Sequence, residues 1–183
     1  MKAINILVQE HAIIKEFLSV LSNGIKKIID NENPPREFFE KAMTFSRDYA
    51  DTHHHFKEEY IMFKLLAGKK QGEIDGEIDK LRKQHEKYRN NLSEVSAALA
   101  GYENNLNEPT RLVHRNLSEY VQSLRDHIEK EEKHFYPMAQ KVISGDEQEA
   151  LSQEFDKYEK KAGEGFNDKY RTLVKEMDDL IKS

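Results

Sequence analysis

The sequence predicts an all-α protein, an antiparallel up-down-up-down four-helix bundle with an extra C-terminal helix. No run of alternating Val, Ile and Thr is long enough to indicate a strand, and the chain consists of long segments rich in Glu, Lys, Leu, Ala and Gln. Four prolines and eight glycines, most of them clustered, separate these segments. Because short connections force neighbouring helices to run in opposite directions, the first four segments are expected to form the bundle.

The bundle is expected to cover residues 1–145, and residues 146–183 are expected to form a helical extension packed on it. Asn33 is a suitable N-cap for the second helix, with Pro34 at the first helical position, where its missing N–H has no cost. The four bundle helices are predicted at residues 3–30, 34–67, 73–101 and 107–144.

The fifth segment is predicted to be a kinked helix at residues 147–181, docked against the bundle. Asp146 and Glu149 have the spacing of a capping box, and Gly163 and Gly165 interrupt an otherwise helical pattern. This segment is expected to cap the bundle or to form a dimer contact without taking part in chemistry. Its apolar residues at near-helical spacing are Leu151, Phe155, Tyr158, Phe166, Tyr170, Leu173, Met177 and Leu180.

Composition excludes several classes of function. With no cysteine, the chain has no disulfide, no thiolate metal site and no cysteine nucleophile, so any metal must bind to histidines and carboxylates. A net charge of −5 and the lack of a basic run argue against a nucleic-acid partner. No apolar stretch approaches the roughly 20 residues of a membrane span, and no signal peptide is recognisable, so a cytoplasmic protein is expected.

An internal repeat distinguishes some of the eight histidines from the others. The segment from His54 to Glu59 matches the segment from His127 to Glu132 at four of six positions, with an offset of 73 residues. His11 on the first helix matches His85 on the third at an offset of 74. The first two helices therefore resemble the second two.

The repeated spacing favours a metal site. Residues four apart lie on one face of a helix, so His54 with Glu58, and His127 with Glu131, each direct an imidazole and a carboxylate to one point. Two such pairs and one histidine from each remaining helix can converge in a bundle core, as in carboxylate-bridged di-iron and di-manganese sites. The predicted ligands are His11, His54, Glu58, His85, His127 and Glu131.

The charge of Glu131 supports this interpretation. Its side chain falls on the apolar stripe of the fourth helix, where an unpaired carboxylate costs several kcal/mol or takes up a proton. A divalent ion would compensate the charge, and imidazole with carboxylate suits iron, with manganese or zinc as alternatives.

The remaining histidines have no matched partner in the repeat. His53, His55, His114 and His134 are expected at the surface, in a loop-facing position or in contact with the ligands. His55 has the same spacing to Glu59 as His54 has to Glu58, and only the repeat favours the latter pair.

With these residues, the chain resembles the hemerythrin-like HHE cation-binding family. The family pattern is a His, then His-x-x-x-Glu, then a His, then His-x-x-x-Glu, and the six predicted ligands fill it in order over residues 3–142. The resemblance implies two non-haem iron ions bridged by Glu58, Glu131 and a solvent-derived oxo or hydroxo group. It also implies a small ligand, dioxygen, peroxide or nitric oxide.

Two departures from the oxygen-carrying hemerythrins argue against simple oxygen carriage. Those proteins have a second histidine four residues after the third-helix histidine, where this chain has Arg89. They also have His-x-x-x-x-Asp on the fourth helix, where this chain has Glu131 at a shorter spacing. One imidazole fewer favours reaction with dioxygen, peroxide or nitric oxide over storage of dioxygen. Family members with this ligand set include bacterial proteins linked to oxidative and nitrosative damage, so the resemblance implies a role in that stress response.

Two alternatives stay open from the sequence. The chain could be a sensor or carrier module that acts through a redox or signalling partner protein. It could also be a structural bundle with a single zinc ion or without metal. The pattern assigns no catalytic residue.

Overall fold

The computed structural model describes residues 1–30, 32, 34–102 and 107–182, with Lys70 described by its backbone alone. This part of the chain contains helices and turns and no strand, which confirms the predicted all-α class. We number the six long helices α1 (Lys2–Ile29), α2 (36–66), α3 (Asp75–Ala98), α4 (108–142), α5 (Gly145–Ala162) and α6 (Phe166–Lys182).

Helices α1 to α4 alternate in direction. The start of α1 lies in the same apolar cluster as the end of α2, the start of α3 and the end of α4. The other end of α1 shares a second cluster with the start of α2, the end of α3 and the start of α4. The chain therefore runs up, down, up and down, as the short connections predict.

The two apolar clusters lie on either side of a polar layer. The small cluster includes Leu7, Met62, Phe63, Phe135 and Phe155. The large cluster includes Phe17, Phe38, Phe45, Tyr120 and Met177. On α1, α2 and α3 the buried histidines and glutamates lie between the segments that build these clusters, and on α4 His127 and Glu131 lie on either side of Ile128 of the large cluster. Together these polar side chains form a buried layer.

Turns of π-helix interrupt α2 and α4 at this layer. In α2 they cover Phe45–His55 and Lys57–Met62, and in α4 they cover Glu131–Phe135. Their i→i+5 hydrogen bonds change the angular spacing of the side chains, and such turns occur frequently at functional sites. All buried histidines and glutamates of α2 lie on them.

Two predicted helix starts are wrong. Helix α2 begins at Arg36 after Pro35 as N-cap, so Pro34 does not hold the first helical position, and Asn33 lies outside the described residues. Helix α5 is capped two residues earlier than predicted. Ser144 accepts a hydrogen bond from the Glu147 N–H, and the Glu147 carboxylate accepts one from the Ser144 N–H.

The predicted kink in the fifth segment is a complete break. Helix α5 ends at Ala162 and α6 begins at Phe166, because Gly163 and Gly165 adopt φ values of 96° and 74° in the left-handed region that favours glycine. Both helices contact α1. Asp156 accepts a hydrogen bond from Lys2 at 2.5 Å, and Glu16 accepts one from Arg171 at 3.0 Å.

Candidate metal centre

All six residues of the predicted ligand set lie together in the polar layer. None of His11, His54, Glu58, His85, His127 and Glu131 is more than 1% exposed. Every one of the four bundle helices contributes at least one of them. That they act as ligands stays a prediction, but their convergence is a property of the fold.

His55 is a seventh member that the sequence analysis missed. It is 2% exposed, and its ring stacks on His85 with centroids 3.8 Å apart and an interplanar angle of 14°. Of the positions expected for His55, a surface position, a loop-facing position or contact with the ligands, the structure shows the last, and it also groups the ring with Glu58, His85 and His127. The repeat gave no signal because Ile128 occupies the equivalent position on α4, and α-helical spacing does not place two successive residues on one face.

The seven residues form two groups whose donor atoms lie within 4.8 Å of one another, and the two groups share Glu58. We call the group of His11, His54, Glu58 and Glu131 half-site A. We call the group of His55, Glu58, His85 and His127 half-site B. Each half-site offers one donor atom from each of four side chains, enough to hold a metal ion.

The two glutamates connect the half-sites. Glu131 directs Oε2 to His11 Nε2 at 3.3 Å and Oε1 to His127 Nε2 at 3.1 Å, so its two oxygens face different half-sites. Glu58 Oε2 lies 3.8 Å from His54 Nε2 and 3.6 Å from His85 Nε2. Both carboxylates therefore lie between the two half-sites.

Several inward-facing atoms have no hydrogen-bond partner among the described residues. They are Nε2 of His54, Nε2 of His55, Oε2 of Glu58 and both carboxylate oxygens of Glu131. Leaving buried polar atoms unsatisfied costs about 1–3 kcal/mol each. Imidazole nitrogens and carboxylate oxygens, without thiolate, suit iron, manganese or zinc, so the residues present fit a metal centre.

Each of the five imidazoles forms a hydrogen bond through Nδ1, on the side of the ring away from the other donors. The other ring nitrogen, Nε2, is then the one available to a metal, and such a bond fixes both the tautomer and the orientation of the ring. The acceptors for His11, His54, His55, His85 and His127 are Glu132 (3.0 Å), Glu10 (2.9 Å), Asp51 (3.4 Å), Glu59 (2.7 Å) and Gln84 (2.9 Å), respectively.

Burial keeps two of these rings neutral. Desolvation and the nearby charge of His11 lower the pKa of His54 to about 3. Desolvation and the nearby charge of His55 lower the pKa of His85 well below its usual range. Because a metal binds the neutral imidazole, both rings are in the form that coordination requires.

The pKa values of the two central carboxylates are shifted in opposite directions. Burial and the negative charge of Glu131 raise the pKa of Glu58 well above its usual range. Burial also acts to raise the pKa of Glu131, but the charge of His127 and the proximity of the His11 and His127 imidazoles lower it overall. Tyr136 donates a hydrogen bond from its hydroxyl to Glu58 Oε1 at 2.6 Å.

The centre contains one imidazole more than the four of the predicted ligand set, although Arg89 stands four residues after His85. His55 supplies a fifth ring, so half-site B has three imidazoles. Arg89 instead contacts Asp51 and Glu59, the acceptors for His55 and His85.

The other histidines lie outside the centre. His134 is exposed, His114 is half-buried, and His53 is buried beside the ligands. His53 Nε2 accepts a hydrogen bond from Lys57 Nζ at 2.9 Å, and Lys57 also donates to Glu10 and Glu159. Lys57 is fully buried and supplies the positive charge of this neighbouring cluster.

Fold and site together define a helical bundle with a buried His and Glu cluster able to bind metal. The chain belongs to the hemerythrin HHE cation-binding family, whose model matches residues 2–139. The match ends before α5, so both C-terminal helices lie beyond it.

The chain is also similar to three mycobacterial proteins described as uncharacterised, one from Mycobacterium bovis and two from strains of Mycobacterium tuberculosis. Each is 24% identical over 180 residues, which cover 97% of this chain and 68% of the relative. No solved structure matches the chain. Within the described part of the chain, no helix combines the length and the apolar character needed to cross a membrane.

Proposed function

We propose that this chain is a non-haem di-iron protein that binds or reduces a small oxidant or diatomic molecule, namely dioxygen, peroxide or nitric oxide, in the oxidative or nitrosative stress response. One observation carries the proposal. Nitrogen and oxygen atoms of seven buried side chains lie in two overlapping groups of four, and five of these atoms, on His54, His55, Glu58 and Glu131, have no hydrogen-bond partner among the described residues. A metal-free bundle would leave this set of polar atoms buried without compensation.

Half-site A would hold one ion through His11, His54, Glu58 and Glu131, and half-site B the other through His55, His85, His127 and Glu58. Bound iron supplies electrons and open coordination positions to a small ligand. The protein's own contribution is to fix the donors. The Nδ1 hydrogen bonds orient the five rings, and Tyr136 holds one oxygen of Glu58.

The surroundings support a small ligand. Every one of the seven donor side chains is at most 2% exposed, so a bulky substrate has no direct approach to them. Phe63 lies beside His85, with ring centroids 6.3 Å apart, and Phe135 packs edge-on against Phe63. These rings give half-site B apolar neighbours.

Tyr136 keeps its proton in this environment. Burial and the negative charges of Glu131 and Glu58 raise its pKa well above the usual range, so the hydroxyl stays a hydrogen-bond donor at physiological pH. Its ring stacks near His11, with centroids 5.6 Å apart. We propose that it orients the shared carboxylate toward the two half-sites.

A sensor that acts through a partner protein is the second candidate, and one chain of contacts favours it. His54 Nδ1 hydrogen-bonds to Glu10, Glu10 accepts from Lys57, and Lys57 also donates to Glu159 on α5. A change at half-site A therefore has a direct route to a C-terminal helix. Amide exchange of α5 with and without nitric oxide, on iron-loaded protein, tests this route.

The decisive experiment is metal analysis after anaerobic loading with ferrous ion and desalting. We expect about two iron atoms per chain, as in other carboxylate-bridged bundles. The double variant His54→Leu/His127→Leu, which removes one imidazole from each half-site, should lose them. The matched control is His114→Leu/His134→Leu, which removes two histidines outside the centre and should load like wild type.

Fewer than about 0.2 transition-metal atoms per chain in the wild type would contradict the proposal. A structural bundle would then be favoured if the His54→Leu/His127→Leu variant were as stable as wild type or more so, because apolar packing would replace buried polar groups. With iron bound, oxygen, peroxide and nitric oxide titrations distinguish turnover from tight binding without turnover.

A further inference from the structure

We propose that Arg89 is a positioning residue that holds two of the three imidazoles of half-site B through Asp51 and Glu59. The inference rests on the proposed function, because it assigns a role within the same centre. Guanidinium has no lone pair to offer a metal, so Arg89 cannot replace a histidine ligand by coordination. Its contacts give it a different task.

The guanidinium of Arg89 bridges the two carboxylates that hold the rings. Its Nε donates to Asp51 Oδ1 at 2.9 Å, and its Nη2 donates to Glu59 Oε1 at 2.6 Å. The same two oxygens accept the Nδ1 bonds of His55 and His85. Each carboxylate oxygen therefore lies between the guanidinium and one imidazole.

The two rings behave as a unit. His55 and His85 stack in parallel at 3.8 Å, so a rotation of one ring displaces the other. Exposure falls from the guanidinium to the rings. The side chain of Arg89 is 39% exposed, those of Asp51 and Glu59 are 28% and 11% exposed, and the rings of His55 and His85 are buried. A single side chain at the rim thus fixes two donors in the interior.

Half-site A is built differently. His11 is held by Glu132, which pairs with Lys15, and His54 is held by Glu10, which pairs with Lys57. Each of its imidazoles depends on a separate cation. Loss of one cation should therefore affect half-site B more than half-site A.

The planar fork of arginine explains the residue type. Its N–H groups reach two carboxylates at fixed angles, whereas the ammonium of lysine is a point charge on a flexible chain. Arg89→Lys is accordingly expected to keep only part of the positioning of His55 and His85.

The test uses Arg89→Met, with Lys15→Met as the matched control at half-site A. Nitrogen-15 spectra of the histidine rings in metal-free protein report which ring nitrogen carries the proton. We expect Arg89→Met to change His55 and His85 from one fixed tautomer to a mixture, and to leave His11 unchanged. Lys15→Met should leave His55 and His85 as in wild type.

Anaerobic ferrous titration provides the second readout. Loss of a partner behind a metal ligand typically weakens binding by 10–100-fold, so we expect one of the two iron equivalents to bind about 10-fold more weakly in Arg89→Met and the other within about two-fold of wild type. The iron equivalent that binds more weakly in Arg89→Met should bind with wild-type affinity in Lys15→Met.

Unchanged ring tautomers in Arg89→Met, or an equal loss at both iron equivalents, would overturn the inference, since the second result indicates a general structural role. If wild type binds no iron, the proposed function fails separately. The ring spectra still decide the role of Arg89, because they are recorded without metal.

Discussion

The four helices that carry the polar layer also build most of the large apolar cluster, yet burial has opposite consequences in the two regions. Phe17 and Phe45 stack at 4.1 Å in the cluster, where every buried carbon contributes to stability. In the layer, Glu58 and Glu131 are equally buried but have carboxylate oxygens without partners. The difference indicates that the apolar clusters stabilise the bundle, whereas the layer provides buried polar atoms that could bind metal.

A second contrast lies within the layer. Lys57 is fully buried, and its ammonium donates hydrogen bonds to Glu10, His53 and Glu159. Lys15 pairs with Glu132 at the rim, where both side chains reach solvent. The following predictions use these regions as tests, from the largest expected loss of unfolding free energy to the smallest.

The largest loss is expected in the large apolar cluster. Phe17→Ala removes a fully buried ring and leaves a cavity, which should reduce the free energy of unfolding by about 3–5 kcal/mol. Urea denaturation of metal-free protein measures it. Val8→Ala on the same helix, at a side chain 39% exposed, should change stability by about 0.5 kcal/mol or less. Equal effects of the two variants would contradict this account of the core.

The next prediction concerns the buried charge in the polar layer. Lys57→Met leaves Glu10 buried without its cation, and breaking a buried pair in this way costs about 3 kcal/mol. The same urea measurement applies, and Lys57→Met/Glu10→Gln should recover part of the loss. Lys15→Met, at the exposed pair, should cost less than about 1 kcal/mol. A loss for Lys57→Met no larger than for Lys15→Met would remove the distinction between interior and rim.

Close packing between helices gives a smaller expected loss. A Cβ added at Gly24 would lie 2.2 Å from Cζ of Phe38, so Gly24→Ala forces the ring to move and should cost about 1–3 kcal/mol. Gly76→Ala is the control with the opposite sign. Its Cβ meets no atom within 4 Å, and it should stabilise α3 by about 0.5–1 kcal/mol. Thermal unfolding of both variants should show midpoints shifted in opposite directions, and a shift in one direction for both would argue against the close contact.

The smallest effect is expected outside both regions, at the start of α5. Ser144→Ala removes the side-chain acceptor of the capping box and should cost about 1 kcal/mol. Ser96→Ala, at an exposed position within α3, should cost nothing because alanine favours helix. If the two serine variants prove equally stable, the cap at Ser144 contributes nothing measurable.

Much of this protein could be predicted from its sequence, because the signals involved are local or repeated. Helix spacing and the scarcity of Gly and Pro determined the helical class, and the predicted bundle helices match the observed ones within a few residues at most ends. The His-x-x-x-Glu repeat identified six residues that the fold brings together. The family followed from the same ordered pattern.

The start of α5 and the break before α6 were harder to predict, since each depends on backbone conformation. Asp146 and Glu149 have the correct spacing for a cap, but the backbone places Ser144 at that position. Gly163 and Gly165 indicated an interruption, and only their left-handed conformations made it a complete break.

Tertiary structure alone decided the direction of His55 and the contacts behind the rings. The π-helical turns of α2 change the angular spacing of successive side chains, so His54 and His55 both reach the centre, which ideal helical periodicity does not allow. Asp51 and Glu59 contact the rings of His55 and His85, and Arg89 on α3 donates hydrogen bonds to both carboxylates on α2. By itself the sequence determined which helices form and which repeated donors they carry, because those depend on neighbours along the chain. Packing between helices determined the fifth imidazole and the side chains that orient all five.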